Sequence, residues 1–573
     1  MLSIEINQRP VSARQGETIL AAAQHAGIHI PTLCHMEGLS PTGACRICVV
    51  EVAGSPTLLP ACSYPVQEGM KIQTHSPRAL AARRCIVELL LGNHPDDCLY
   101  CSRSGSCELQ ALARELGVDR RLFRGSRTTR PADISSPSVV RHPDKCILCG
   151  KCVRVCEEIQ GVGAIDFIGR GSRTFIGTAF DTGLNRSSCV NCGQCVMVCP
   201  TGALVERSQV HEVREALSDP ERVVVVQHAP SVSVSLAEEF GIKPGHDVDG
   251  AMVAALRRIG FARVFDTAFA ADLTIMEEAS ELLHRIRNGG QLPMLTSCSP
   301  GWIKFVEQFY PEFIPNLSTC KSPQQMMGAI IKSVFAEREG IDPRRIVSVS
   351  IMPCTAKKFE ASREEMQHDH VPDVDFVLTT RELGQLLRQC GVDLLRMGPE
   401  PADSPFGKRS TAGKIFGASG GVMEAAIRTA HFLATEEELP DLDIQPLRGL
   451  QAAKELRAEV GGVPVGAAVV SGLANARALL EQVRAGRNDL HFIEVMTCPG
   501  GCIAGGGQPL GATPKAIKAR MQALYEIDRN ESLRTSHTNP EIVRLYADHL
   551  GSPLSRASHR LLHTHYAPRE VLL

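Results

Sequence analysis

Fifteen cysteines and one histidine before residue 200 fall into four groups at short intervals. They are Cys34, Cys45, Cys48 and Cys62; His94, Cys98, Cys101 and Cys107; Cys146, Cys149, Cys152 and Cys156; and Cys189, Cys192, Cys195 and Cys199. Such spacing suits iron–sulfur clusters, whose irons need soft anionic ligands on a loop that curls around a rhomb or a cube. Three more thiol-bearing motifs lie in the second half. They are Thr296-Ser297-Cys298-Ser299-Pro300, Met352-Pro353-Cys354-Thr355-Ala356-Lys357-Lys358, and Met496-Thr497-Cys498-Pro499-Gly500-Gly501-Cys502, the last running on to Gly505-Gly506-Gly507. The first half therefore reads as an electron conduit and the second as its destination.

The elements that position these groups divide the chain in four. Residues 1 to 78 alternate in short strands, Leu2–Ile6 and Ile47–Val52, with a helix predicted over Thr18–Ala26. Their C-x10-C-x2-C-x13-C spacing resembles a plant-type 2Fe–2S ferredoxin with a longer first interval. Residues 79 to 120 read as helical and lead into the His94 group. One histidine and three cysteines suit zinc or a His-ligated 4Fe–4S cluster, and placement between two ferredoxin-like modules favours the cluster. An imidazole in place of a thiolate removes a negative charge and raises the potential. Residues 121 to 208 carry C-x2-C-x2-C-x3-C twice, the second run followed by Pro200, which resembles the bacterial two-cluster ferredoxin. There the fourth cysteine of each run ligates the other cube. Cys146, Cys149, Cys152 and Cys199 are expected to hold one cube, and Cys189, Cys192, Cys195 and Cys156 the other.

Bulk properties bound the rest. A chain of 573 residues exceeds a single core. Apolar content of 43% and a net charge of −2 describe an ordinary globular protein and give no reason to expect a nucleic-acid partner. No run of eighteen apolar residues predicts a membrane span. The N-terminus reads as a strand, not a signal peptide, so a cytoplasmic location is expected, where dense cysteines mean metal more than disulfides. From residue 209 to 573, apolar runs alternate with helical stretches: Arg222–Gln227 then Val232–Phe240, Ile346–Ile351 then Arg363–Gln367, and His491–Val495. That pattern predicts α/β structure with largely parallel sheets. Each thiol motif follows a strand, at Leu292–Leu295, Val347–Ile351 and Phe492–Val495, so the three converge on one crevice. The expected fold class is multidomain α+β and α/β, with ferredoxin-like iron–sulfur modules followed by a large two-lobed α/β catalytic domain.

Together the three motifs resemble the signature of the iron-only (FeFe) hydrogenases, and the order of the four upstream sites extends the resemblance over essentially the whole chain. It is similar both to the monomeric ferredoxin-linked form and to the catalytic subunit of NAD(P)-linked multi-subunit forms. The resemblance implies reversible H2 oxidation at an H-cluster, a 4Fe–4S cube joined to a two-iron unit bearing CO, cyanide and a bridging dithiolate amine. It also implies three accessory 4Fe–4S clusters and one 2Fe–2S cluster. Carried over by position, Cys354, Cys498 and Cys502 hold the cube, and Cys502 bridges to the diiron unit. Lys357 and Ser231, after Pro230, meet the two cyanides, while Met352, Met496, Gln324 and Phe416 line the pocket. Core packing explains the two methionines equally well. Cys298 is the proton-relay thiol, and the relay continues through Glu278, Ser318 and Glu281 toward Arg285. A surface Glu281–Arg285 pair at i,i+4, worth about 0.3–0.5 kcal/mol, is the bland alternative.

One position departs from the family. Ser299 stands where a second cysteine supplies the fourth cube ligand. Serine ligates as an alkoxide, or Cys298 shifts to ligate, or water takes the site. Cys85, Cys320 and Cys390 match no cluster interval and read as buried small apolar residues. The resemblance implies ferredoxin, or flavin- and NAD(P)-binding diaphorase subunits, as electron partners, since no nucleotide-binding glycine fingerprint is evident. It also implies maturation proteins, because no ordinary folding route supplies CO and cyanide. The competing readings are an electron-transfer subunit of an NADH or formate dehydrogenase, an iron–sulfur assembly factor, and an H2 sensor. The first lacks the Cys354 and Cys498–Cys502 motifs; the second lacks the lysine and pocket residues; the third loses the relay cysteine and adds a signalling domain.

Overall fold

The computed structural model describes residues 1–120, 122–123 and 129–571. Strands Leu2–Ile6, Arg9–Ala13, Val49–Val52, Leu59–Pro60 and Lys71–Gln73 form one five-stranded sheet. Thr18 caps the helix Ile19–His25 by accepting from Ala21 N, and the apolar face of that helix closes the small core. Helix Pro77–Asn93 is fastened to this sheet by Arg83. Its fully buried guanidinium donates to Ile47 O, Val49 O and Thr74 O. Two small antiparallel ribbons follow, Val139–Arg141 with Leu204–Glu206 and Asp166–Ile168 with Phe175–Gly177.

The C-terminal part contains two four-stranded sheets. In the first, Arg263–Asp266, Val223–His228, Ile346–Met352 and Phe376–Thr379 lie in that order, all parallel. Val223–His228 opens with four valines, Ile346–Met352 alternates apolar residues with Ser348 and Ser350, and both strands are almost wholly buried, as parallel strands covered on both faces are. In the second, Met294–Leu295, Phe492–Met496 and Val463–Ser471 are parallel, and Ala453–Val460 joins antiparallel at the edge. This antiparallel hairpin edge is compatible with the largely parallel expectation: only Gly461 and Gly462, both at positive φ, separate the two strands.

Helix Thr267–Asn288 runs between the lobes, capped by Asp266 at one end and by Gly289 at φ +74 at the other. It is buried on nearly every side, including Glu277, Glu278, Glu281 and Arg285. With Asp272 that makes five buried ionisable side chains on one helix, which are costly unless they pair or change protonation.

Three local expectations are corrected. The segment Val232–Phe240 is two short turns, Pro230–Ser233 and Leu236–Phe240, because its serines bond back to nearby carbonyls. After Ile346–Met352 the helix is Ala356–Ala361, not Arg363–Gln367. Arg363 instead bonds Glu307, and the chain turns into the short strand Gln367–His368. Cys85 and Cys390 are exposed, one off the buried stripe of its helix and one at a helix end beyond the core; Cys320 is fully buried.

Candidate active site

The C-terminal ends of strands from both sheets open onto one pocket with an empty volume of ≈ 780 Å³. Ala229–Ser231 follows Val223–His228, Pro353 and Cys354 follow Ile346–Met352, Cys298 and Ser299 follow Met294–Leu295, and Thr497–Cys502 follows Phe492–Met496. All of these segments line it, with Gln324, Met352, Lys357, Phe416 and Met496. Gly501 lets the last loop close: its φ is +96, and a Cβ there would stand 2.6 Å from Ser419 N.

The donor set fits an anionic iron–sulfur group. Cys354, Cys498 and Cys502 are held on one wall, and burial pushes their thiols up, Cys502 to about 12. Iron, in place of the proton, makes such thiolates stable in a dry site. The hydroxyl of Ser231 faces the same pocket, buried and without a hydrogen-bond partner. An orphaned donor in an apolar cavity suits a small anionic acceptor. Lys357 Nζ donates to Glu360 Oε2 at 2.9 Å and to Cys298 O at 3.1 Å. Glu360 also accepts from Gln324 Nε2 and Ser322 Oγ, and Gln324 Oε1 accepts from Ser350. Glu360, unmarked in the sequence reading, thus fixes both the lysine and the glutamine. Its position three residues after Lys357 on a helix was the signal available.

Ser299 occupies the N-cap position of helix Pro300–Phe309, with its hydroxyl free of the helix N–H groups, and lines the pocket. Its Oγ lies 2.8 Å from Thr497 Oγ1 and accepts from Thr497 N at 3.4 Å.

Beside the pocket, Cys298 is raised well above an ordinary thiol by burial and then by Glu278. Burial and the Glu281 charge push Glu278 up to about 8, against the opposing pull of the Ser297 N–H and the Ser318 hydroxyl. Ser318 Oγ donates to Glu281 Oε2 at 2.9 Å, and Arg285 Nη2 donates to Glu281 Oε1 at 2.6 Å. Arg285 also donates to the carbonyls of Asn316 and Leu317. This buried network replaces the solvent-exposed i,i+4 pair.

The upstream cysteines gather in the same way. One cavity is lined by Cys146, Cys149, Cys152 and Cys199, and the next by Cys156, Cys189, Cys192 and Cys195. The four N-terminal thiols touch, and side-chain hydrogen bonds from Cys45 and Cys62 push Cys34 down. His94 ends helix Pro77–Asn93, with Nδ1 3.1 Å from Pro95 O, and Cys98, Cys101 and Cys107 follow on one loop.

The second cavity abuts the active site. A Cβ on Gly506 would stand 2.2 Å from Cys192 O, so the glycine run is what admits the ferredoxin loop. Gln194, between Cys192 and Cys195, donates to Cys498 Sγ at 3.2 Å and to Ala504 O at 3.1 Å. Nothing in the sequence distinguished this residue, because its partner lies some three hundred positions away. A hydrogen bond to a ligating sulfur favours the reduced, more negative cluster. Gln194→Leu is expected to lower the potential of a cube bound at Cys498 by roughly 50 mV, the equivalent of about 1 kcal/mol, in a redox titration followed by electron paramagnetic resonance.

Residues 222–506 match the iron only hydrogenase large subunit, C-terminal domain, and residues 514–569 match the iron hydrogenase small subunit. Upstream, residues 1–77 match a 2Fe-2S iron-sulfur cluster binding domain, 83–121 the NADH-ubiquinone oxidoreductase-G iron-sulfur binding region, and 145–203 a 4Fe-4S dicluster domain. NADP-reducing hydrogenase subunit HndD of Solidesulfovibrio fructosivorans is 47% identical over 584 residues, covering 100% of both chains. Iron hydrogenase 1 of Clostridium pasteurianum is 39% identical over 99% of this chain and 100% of its own. The solved structure of a variant of the FeFe hydrogenase HydA1 from Chlamydomonas reinhardtii covers 63% of this chain and 99% of its own at a TM-score of 0.57 and 40% identity. The hydrogenase match across the catalytic part disfavours an electron-transfer subunit of an NADH or formate dehydrogenase. Relatives this similar from end to end place the chain in the family of iron-only hydrogenase large subunits.

Proposed function

We propose that this chain interconverts H2 with protons and electrons in the pocket between its two sheets, with Cys354, Cys498 and Cys502 as iron ligands. The observation that carries the assignment of residues is their convergence with Lys357 and the unpartnered Ser231 hydroxyl on one cavity. The H-cluster, when bound, supplies the cleavage of H2 and the first acceptance of electrons. The chain's own residues do the rest. Lys357 and Ser231 offer hydrogen-bond donors to the cyanides; Met352, Met496, Phe416, Gln324 and Pro230 wall the pocket and exclude water. Cys298, Glu278, Ser318 and Glu281 move protons toward Arg285. Electrons cross the two cubes of the dicluster module and leave by the His94 site and the 2Fe–2S site.

For the fourth cube ligand we favour Ser299 Oγ. It lines the pocket, and the Thr497 hydroxyl and N–H are placed to stabilise an alkoxide there. A harder, more basic ligand lowers the potential of the cube. Ser299→Cys is expected to raise it while H2 turnover continues, and a wild-type chain inactive until this substitution sinks the reading.

As partners, the end-to-end likeness to an NADP-reducing hydrogenase subunit supports flavin- and NAD(P)-binding diaphorase subunits, with ferredoxin as a further donor or acceptor, alongside maturation proteins. Among the described residues no helix is long and apolar enough to cross a membrane, and the proposed location is the cytoplasm. Co-purification from the native host, followed by infrared spectroscopy of the matured protein, tests both proposals. Carbonyl and cyanide bands and associated flavin are expected; absence of the bands removes the residue assignments.

A further inference from the structure

Arg103 stands on the ligand loop of the His94 site and lacks a counter-charge. It is 6% exposed. Its Nη2 donates to Cys199 O at 2.9 Å, while Nε and Nη1 are buried with no hydrogen-bond partner. Among the described residues no other arginine leaves two buried nitrogens in this way, and no carboxylate pairs with this one.

The loop from Cys98 to Cys107 carries Arg103 two residues after Cys101 and packs on the end of the dicluster module. A Cβ on Gly202 would stand 2.7 Å from Cys101 Sγ and 3.6 Å from Arg103 Cγ. Glu108 N donates to Pro200 O at 2.9 Å, and Lys145 pairs with Asp97 at 2.8 Å. Burial pushes the Cys107 thiol up, and the Gln110 and Leu109 N–H groups and the Arg103 charge oppose it. The guanidinium thus lies between the thiols of the His94 site and Cys199, a ligand expected in the neighbouring cube.

Arg154 is the contrast. It holds the other junction, where the loop of the 2Fe–2S domain meets the same cube, and is 7% exposed. Its guanidinium donates to Cys34 O at 2.5 Å, to Gly150 O at 3.3 Å, to Cys149 O at 3.4 Å and to Ser40 O. Carbonyls there engage all three nitrogens, so Arg154 is a clasp between loops. At Arg103 one nitrogen is so engaged. An internal water would satisfy an orphaned donor but not the charge, and a buried cation is costly without an anion. A thiolate-ligated iron–sulfur group supplies both the anion and sulfur acceptors.

We propose that Arg103 Nε and Nη1 donate to sulfur of the cluster held by His94, Cys98, Cys101 and Cys107, and so raise its potential. Two donors and a positive charge favour the reduced, more negative state. Nη2 meanwhile keeps the site against Cys199, so one side chain sets both the driving force and the spacing of the electron step between the two. In H2 oxidation one electron leaves the reduced cube of Cys146, Cys149, Cys152 and Cys199 and is taken up at the His94 site, with no proton moving.

The inference rests on the reading that the His94 site holds a 4Fe–4S cluster. The matured full-length chain is compared with Arg103→Gln, Arg103→Lys and Arg154→Gln. Metal content is measured, and the reduced clusters are followed by electron paramagnetic resonance at fixed potentials. Pulsed resonance of the wild-type chain, with arginine labelled by nitrogen-15 at the guanidinium, reads the contact without any substitution. Arg103→Gln is expected to lower the reduced-to-oxidised ratio of the His94 cluster about tenfold, about 59 mV for one electron. Arg103→Lys keeps the charge and loses the fork, and falls between. Arg154→Gln keeps the wild-type ratio at this cluster. The labelled wild type shows a guanidinium coupling at the His94 cluster that Arg103→Lys lacks, and this measurement decides if Arg103→Gln does not fold. A wild-type ratio in Arg103→Gln, an equal shift in Arg154→Gln, or no guanidinium coupling overturns the inference while the cluster reading stands. Zinc in place of iron at the site overturns both.

Discussion

Glu278→Gln is expected to lower H2 turnover by about 10²–10⁴-fold while iron content and fold are retained. Glu278 stands between the buried Cys298 thiol and the Ser318–Glu281 pair, on a helix that offers no other acid in reach of both. Its carboxyl, pushed up to about 8 by burial and then by Glu281, is protonated at neutral pH and so able to give a proton and take one back. Glutamine keeps the shape and the neutrality and loses only that exchange. The same shift sets a pH dependence. Above about pH 8 the wild-type carboxyl ionises, its role as a neutral proton donor ends, and turnover falls. The residual rate of the variant lacks that limb. Stability follows with a definite sign. The folded value lies above the ordinary 4.5, so between these the folded protein holds the extra proton and its stability declines as pH rises. Calorimetry of Glu278→Gln is expected to show a shallower decline over the same window. An equal decline in both proteins contradicts the burial of an uncompensated acid.

What the sequence made legible was what chemistry fixes at short range. The cysteine intervals, the three strand-to-loop motifs and the parallel α/β core follow from ligand spacing and from buried strands rich in β-branched residues, such as Val223–Val226 and Ile346–Ile351. What it hid depends on long-range contact. Gln194 is one polar residue among cluster ligands until the fold sets it against Cys498. Glu360 looks like any helix glutamate until Gln324 and Lys357 converge on it. Arg363 has helical neighbours in sequence, yet the buried Glu307 carboxylate draws it out of helix. Glu281 and Arg285 share a face in any helix of this sequence, and only the Asn316–Leu317 carbonyls turn a surface pair into a buried one.

Lys357→Met separates the two tasks of the lysine, holding the pocket together and meeting an anionic ligand. Lys357 Nζ and Glu360 Oε2 form a buried pair at 2.9 Å, side chains 11% and 4% exposed. Removing one partner leaves the other carboxylate uncompensated, at a cost of about 3–5 kcal/mol. The single variant is therefore expected to melt early as well as to lose about 10²–10³-fold in turnover, the scale of one donor removed from a preorganised dry site. Adding Glu360→Gln neutralises the orphaned charge. Glutamine still accepts from Ser322, so the double variant is expected to recover most of the melting temperature. Turnover should not return, because methionine offers no donor to an anion in the pocket, and the cyanide infrared bands should stay weakened. Recovery of both stability and rate in the double variant would mean that Lys357 serves only to neutralise Glu360, and that the anionic ligand assigned to it finds its hydrogen bond elsewhere.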